Sequence, residues 1–420
     1  MYMEIYVHPS MGDDEAQGTS MHPYRTLAKA VSVIYGINSS LEPDEECRIN
    51  IMLGCGVNKI DSRILLENLG RGMSVRFRPW DDMYTSLSCA VRINGFDFSF
   101  DKETGAYCYK SDSEIRGLYV NGRMVEPAKT RESLLPGCAF ADKNMLLYCP
   151  EKNEEPPYSL TELAGSHNMF DIVNCSDITF ENIDFTGIGD GKCSYITLDR
   201  CSGICIENCR FKNSQAEAVR CVNNSEKISI YNCEFVNLSA VCLEICNSRF
   251  VRVTNNYFDS CPEHSICVCD CENVSISSST FHNTALPVCV VRNVSGLLFE
   301  KTRTESSLPG CQVLDADASE CNMQISGNYI LTDNSCLELV RNGTMSDNAL
   351  KSDGELKPDN VMVIIVKNRI NINPSDVLGG YAVRVYVPEH WNPAKLEASV
   401  RDLILNAGYR KIIKNYGDII

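Results

Sequence analysis

The chain has 420 residues, including 26 Gly, 16 Pro and 23 Cys, and carries 39 basic against 55 acidic side chains for a formal net charge of -16. That balance argues against a nucleic-acid backbone or an anionic membrane as the main partner, and no apolar run reaches the roughly 18 residues of a membrane span. An odd cysteine count makes complete internal pairing impossible and points to reduced thiols packed as small apolar residues.

Along the chain, Met1 to Ser10 has neither a basic stretch nor a long apolar one, so it does not read as a signal peptide. With the thiols, this predicts a cytoplasmic location. Ala28 to Tyr35 reads as a short amphipathic helix behind the cap position Thr26, suited to plug the open end of a solenoid. Strand-like runs follow at Ile49–Leu53, Met73–Phe77 and Ala90–Ile93, as irregular first coils of a segment 1–110. Residues 111–165 break the coil period and carry Pro127, Pro136, Pro150, Pro156 and Pro157, which marks an insertion. Residues 166–372 hold the repeat, and 373–420 form a tail whose Leu396, Val400, Leu403 and Ile404 give Pro393 to Tyr416 helical spacing.

The repeat decides the fold. FENIDF ends at Phe185, IENCRF at Phe211, IYNCEF at Phe235, VTNNYF at Phe258 and ISSSTF at Phe281, with weaker copies ending at Thr304 and Ile330; the steps are 26, 24, 23, 23, 23 and 26 residues. Within each copy the apolar residues alternate with period two, which is strand periodicity. Short strands at a fixed period with Asn and Gly at the corners describe an all-β, right-handed parallel β-helix, in which like residues stack from coil to coil. Phe180, Ile206, Ile230, Val253, Ile276, Phe299 and Ile325 form one inward column. Asn182, Asn208, Asn232 and Asn255 recur at one corner, where Asn tolerates the left-handed backbone of a turn.

The run IYVHPSMGDDEAQGTSMHPYRTLAKAV matches a pattern YVSPxGxDxxxGTxxxPFxTLxxA at Tyr6, Val7, Pro9, Ser10, Gly12, Asp14, Gly18, Thr19, Pro23, Thr26, Leu27 and Ala30. A second run, IRGLYVNGRMVEPA, matches LFVNGxxxxxA at Leu118, Val120, Asn121, Gly122 and Ala128. On these motifs the chain resembles carbohydrate-active right-handed β-helix proteins, closest to the glycoside hydrolase family 141 type, with family 120 xylosidases more distant. The resemblance implies the solenoid fold and hydrolysis of an oligosaccharide. The later cleft-lining coils of longer relatives are not matched, which keeps a non-catalytic carbohydrate- or protein-binding homologue open. A polysaccharide lyase is a third reading.

Glycosidases need two carboxylates, about 5 Å apart when retaining and about 6.5–9.5 Å apart when inverting. Aligning the strand after each long turn gives an outward column Thr197, Arg220, Glu244, Cys267, Val290 and a second one Asp199, Val222, Cys246, Cys269, Arg292, with one extra residue required within Asn223 to Lys227. The catalytic candidates are therefore Glu244 with Asp199 or Asp270, and Arg220 faces the substrate or forms a surface ion pair with Glu244. Glu217 at the mouth of that strand and Asp190 in the Gly187–Gly191 turn are further substrate-binding candidates. Cys267, Cys269 and Cys271 fall on one strand face near Cys242 and Cys246, but alternate strand residues are poorly placed for shared tetrahedral coordination. Asp315, Asp317 and Glu320 are the tightest acidic group for calcium. Neither reads as a metal site, and no cofactor is expected.

Overall fold

The computed structural model describes residues 1–306 apart from 43–44, 70–71, 82–83, 103 and 286. Beyond them it describes the strands Gln312–Ala316, Asn322–Ser326, Tyr329–Thr332, Glu338–Arg341, Val363–Val366 and Arg369–Ile372. The tail helix, Asp317 and Glu320 lie outside the described residues. The fold is a right-handed parallel β-helix with very little helix. Two compact units divide the chain: Met1–Thr197 with Cys209–Ala218 and Asn237–Ala240, and Leu198–Asn208 with Val219–Val236 and Val241–Ile420.

In the first unit Tyr2–Val7, Cys47–Leu53 and Met73–Pro79 pair in parallel, so that Ile5 sits on Ile51 and Ile51 on Phe77. Phe77 in turn pairs with Phe180, the two rings stacked at 4.9 Å. A second parallel sheet stacks Leu87, Phe185 and Phe211, with the last two rings 4.6 Å apart and 9° from parallel. Identical side chains meet here because each coil repeats the last at one strand spacing.

Helix α1 spans Leu27–Ser40, longer than the apolar spacing suggested, and buries Leu27, Ala30, Val31 and Ile34. Its start explains the N-terminal motif. Thr26 Oγ1 accepts from Lys29 N at 3.2 Å, and Asp14 Oδ1 accepts from the backbone of Arg25 and Thr26 at 2.9 Å each. A Cβ on Gly12 would lie 2.1 Å from the Tyr24 carbonyl oxygen, so only glycine fits that approach. The motif thus builds a helix cap.

Between the coil strands Thr85–Ser88 and Phe170–Val173 the chain leaves the solenoid. Val91–Ile93, Thr161–Leu163, Leu118–Val120 and Arg123–Met124 form one antiparallel sheet. Ser99–Asp101, Ala106–Lys110, Met145–Cys149 and Cys138–Asp142 form another, with Glu126–Pro127 added in parallel. Ala90–Ile93 is therefore not a coil strand, because its partner is antiparallel. These sheets have their own core of Phe98, Ile115, Leu118, Val120, Val125, Leu146 and Tyr148. The Tyr119 hydroxyl donates to the Asn213 carbonyl, and Lys59 Nζ meets Glu162 at 2.6 Å, which ties the sheets to the coils.

In the second unit the inward columns follow the sequence register. Ile206, Ile230, Val253, Ile276 and Phe299 pair in succession, as do Val219, Leu243, Ile266 and Cys289, and Ile325 is the next backbone partner of Phe299. Phe258 stacks on Phe235 at 4.6 Å and on Phe281 at 4.9 Å. Asn208, Asn232 and Asn255 all have φ between 54° and 57°. Asn232 Nδ2 donates to Asn208 Oδ1, and Asn255 Nδ2 to Asn232 Oδ1 at 3.0 Å. The extra turn residue falls at Asn223–Asn224, both left-handed, where the next coil has only Asn247. The twenty described cysteines are all free thiols. Among the described residues no helix is long and apolar enough to cross a membrane.

Candidate functional site

Positions on and just before the strands of a β-helix coil are released from core packing, so polar side chains gather there. In the first unit several of them form a connected chain. Arg63 Nη1 donates to Asp171 Oδ2 at 2.8 Å. Asn168 Nδ2 donates to Asp171 Oδ1 at 2.8 Å, and Asn168 Oδ1 accepts from Ser194 N at 3.0 Å. Ser194 Oγ then donates to Glu217 Oε2 at 2.9 Å. Two carboxylates, Asp171 and Glu217, are thus fixed through one amide and one serine. Asp171 is nearly buried, and its two named partners supply the hydrogen bonds such a charge requires.

The antiparallel sheets bring more charge to the same place. Arg116 lies 2.9 Å from Glu114 and 3.5 Å from Asp190. A cleft of about 300 Å³ is lined by Glu114, Arg116, Gly189, Asp190, Gly191 and Gln215. Gly189 is required there, since a Cβ would meet Ala164 Cβ at 2.5 Å. Cys193 marks the junction of cleft and chain. Burial first, then the charges of Asp190, Asp171 and Glu217, push its thiol up to about 11, with Arg116 opposing.

Two expected residues, Glu217 and Asp190, lie in the first unit: Glu217 ends the polar chain and Asp190 lines the cleft. The other four lie in the second unit. Arg220 Nε and Glu244 Oε2 form an ion pair at 2.7 Å. Asp199 accepts from Asn223 Nδ2 at 3.1 Å and pairs with Arg200 at 3.1 Å. Asp270 is exposed, has φ 53°, and accepts from Asn293 Nδ2 at 2.6 Å, as a rung of a corner ladder. Cys271 does not share a face with Cys267 and Cys269. The left-handed Asp270 breaks the alternation and turns Cys271 inward, where it donates to the Ile245 carbonyl at 3.4 Å. Among the described residues no group of His, Cys, Asp or Glu is arranged to hold a metal ion.

Arg63, Asn168 and Asp171 were not singled out in the sequence. The outward column extends back beyond Thr197: one further step of 26 residues, the step that separates Phe185 from Phe211, falls on Asp171.

Residues 168–330 match the family described as the right-handed beta helix region. Among solved structures the chain is similar to one titled "Glycoside hydrolase", at 12% identity over 95% of this chain and 100% of that one, with a TM-score of 0.56. A structure of XylC with xylose follows at 12% identity, 93% and 86% coverage and a TM-score of 0.48. A lacto-N-biosidase from Eubacterium ramulus is similar at 9% identity, 88% and 68% coverage and a TM-score of 0.41. At these identities the likeness is one of fold. No curated protein matches the chain.

Proposed function

We propose that this protein is a glycoside hydrolase-like enzyme that acts on an oligosaccharide on the outer face of the first unit, with Asp171 and Glu217, beside the cleft, as its paired carboxylates. The observation that carries the reading is the hydrogen-bonded chain Asp171–Asn168–Ser194–Glu217 beside a cleft edged by Arg116 and Asp190. Asp171, opposite the Arg63 guanidinium, is the base that activates water, and Glu217 is the proton donor. Asp171 and Glu217 stand on strands two coils apart, and the anomer of the product tells an inverting from a retaining outcome. Asp190, Arg116 and Gln215 supply the hydrogen bonds that sugar hydroxyls need. The resemblance of the opening motif to the glycoside hydrolase family 141 type supports the same substrate class. The twenty described cysteines, all free thiols and many of them buried, support a reducing compartment and hence an imported oligosaccharide.

Turnover of aryl glycosides and oligosaccharides, with the product anomer followed by NMR, tests the reading. Loss of activity in both Glu217→Gln and Asp171→Asn supports it, and full activity in both sinks it. A non-catalytic glycan-binding reading draws on the arginine pairing of Glu114, Asp171 and Asp190. It predicts binding to a glycan array that Arg116→Ala weakens, with no turnover.

A further inference from the structure

The second unit holds a cluster that carbohydrate chemistry does not use. Cys246 faces Cys269 across one coil step, and Cys269 faces Arg292 across the next. Cys267 Sγ lies 3.7 Å from Cys269 Sγ. All three thiols are half-buried, so small reagents can reach them. Arg292 is held in place, with Nη1 donating to the Asp315 carbonyl at 2.7 Å and Nη2 to Asp315 Oδ2 at 2.8 Å. Two thiol donors and a fixed cation around one sulfur are what favours its anion.

We propose that Cys246 and Cys269 form a peroxide-reactive dithiol site, with Cys269 as the nucleophile and Cys246 as the resolving thiol. The thiolate of Cys269 attacks one oxygen of hydrogen peroxide, the O–O bond breaks, and hydroxide leaves. Cys269 becomes a sulfenic acid. Cys246 then attacks that sulfur, its proton leaves with the sulfenic oxygen as water, and a disulfide forms. The net step oxidises two sulfurs by two electrons and reduces one peroxide. Hydrogen bonds from Cys246 and Cys267, ahead of the charge of Arg292, hold Cys269 well below the usual thiol range. Backbone geometry selects the partner. Neighbouring strands lie about 4.8 Å apart, inside the ~4.4–6.8 Å Cα range of disulfides, whereas a two-residue step along one strand is roughly 6.6 Å, at its edge.

The test is peptide mapping of the full, reduced chain after one equivalent of hydrogen peroxide. A disulfide joining Cys246 to Cys269 is expected. In Cys246→Ser, dimedone should trap Cys269 as the sulfenic acid, and Arg292→Gln should slow that labelling several-fold. Competition within the unmodified chain guards against a misfolded variant: Cys269 must react faster than the half-buried Cys55 and Cys138. Equal labelling of these three, or a disulfide through Cys267 instead, would overturn the proposal.

Discussion

The two units present the same kind of interior and different outer faces. Inside, both stack phenylalanines, Phe185 on Phe211 in the first and Phe235 on Phe258 on Phe281 in the second. Outside, the first unit links Arg63, Asp171, Asn168, Ser194 and Glu217 in one chain of polar bonds. The second pairs Arg220 directly with Glu244 and places thiols next to them. Stacking constrains the inward residues, since each must fit its copy one coil away. Nothing comparable constrains the outward ones, so that is where chemistry diverges.

If the interiors are equivalent, damage to either should cost alike. Phe211→Ala and Phe258→Ala should each destabilise the protein by about 3–5 kcal/mol, read as a shift in the denaturant midpoint. A loss seen for only one of them would break the likeness. The outer faces should respond unequally. Glu217→Gln or Asp171→Asn should lower turnover by about 10²–10⁴, while Glu244→Gln leaves it within a few-fold. The reverse order would move the active site to the second unit.

The interior was legible because a fixed period of 23–26 residues places every inward residue once one is placed. Features that depend on the partner of a strand, or on one backbone angle, were not. Ala90–Ile93 alternates as any strand does, and only its pairing with Thr161–Leu163 tells an antiparallel sheet from a coil. Cys271 was misplaced because alternation was carried through Asp270, whose φ of 53° ends it. The position of Asp270, 23 residues after Asn247 and 23 before Asn293, is the signal for that corner. Helix α1 continues to Ser40 through Gly36, Asn38 and Ser39, residues of low helix propensity that hid its last turn. Only one wall of the cleft, the Gly187–Gly191 turn with Asp190, was legible, because the other wall, at Arg116 ahead of the strand Leu118–Val120, lies outside the coil period.

The corner ladders make a smaller and separable prediction. Asn232 sits at φ 56° and bonds to Asn208 and Asn255. Asn232→Ala loses both bonds and strains a left-handed residue, at about 1–2 kcal/mol. Asn232→Gly loses the bonds but keeps the backbone free, so it should cost less. Equal costs would assign the ladder's stability to its amides alone.

The smallest expected effect concerns the ion pair Arg220–Glu244 of the second unit. Arg220 is 40% exposed and Glu244 25%, so water screens their attraction despite the 2.7 Å separation. A double-mutant cycle with Arg220→Met and Glu244→Gln should give a coupling of at most about 1 kcal/mol, and added salt should shrink it further. The same cycle on Arg63 and Asp171 should give more, because the Asp171 side chain is only 12% exposed and loses one of its two named partners when Arg63 is removed. A coupling at Arg220–Glu244 as large as that at Arg63–Asp171 would erase the difference between the two faces on which the placement of the active site rests.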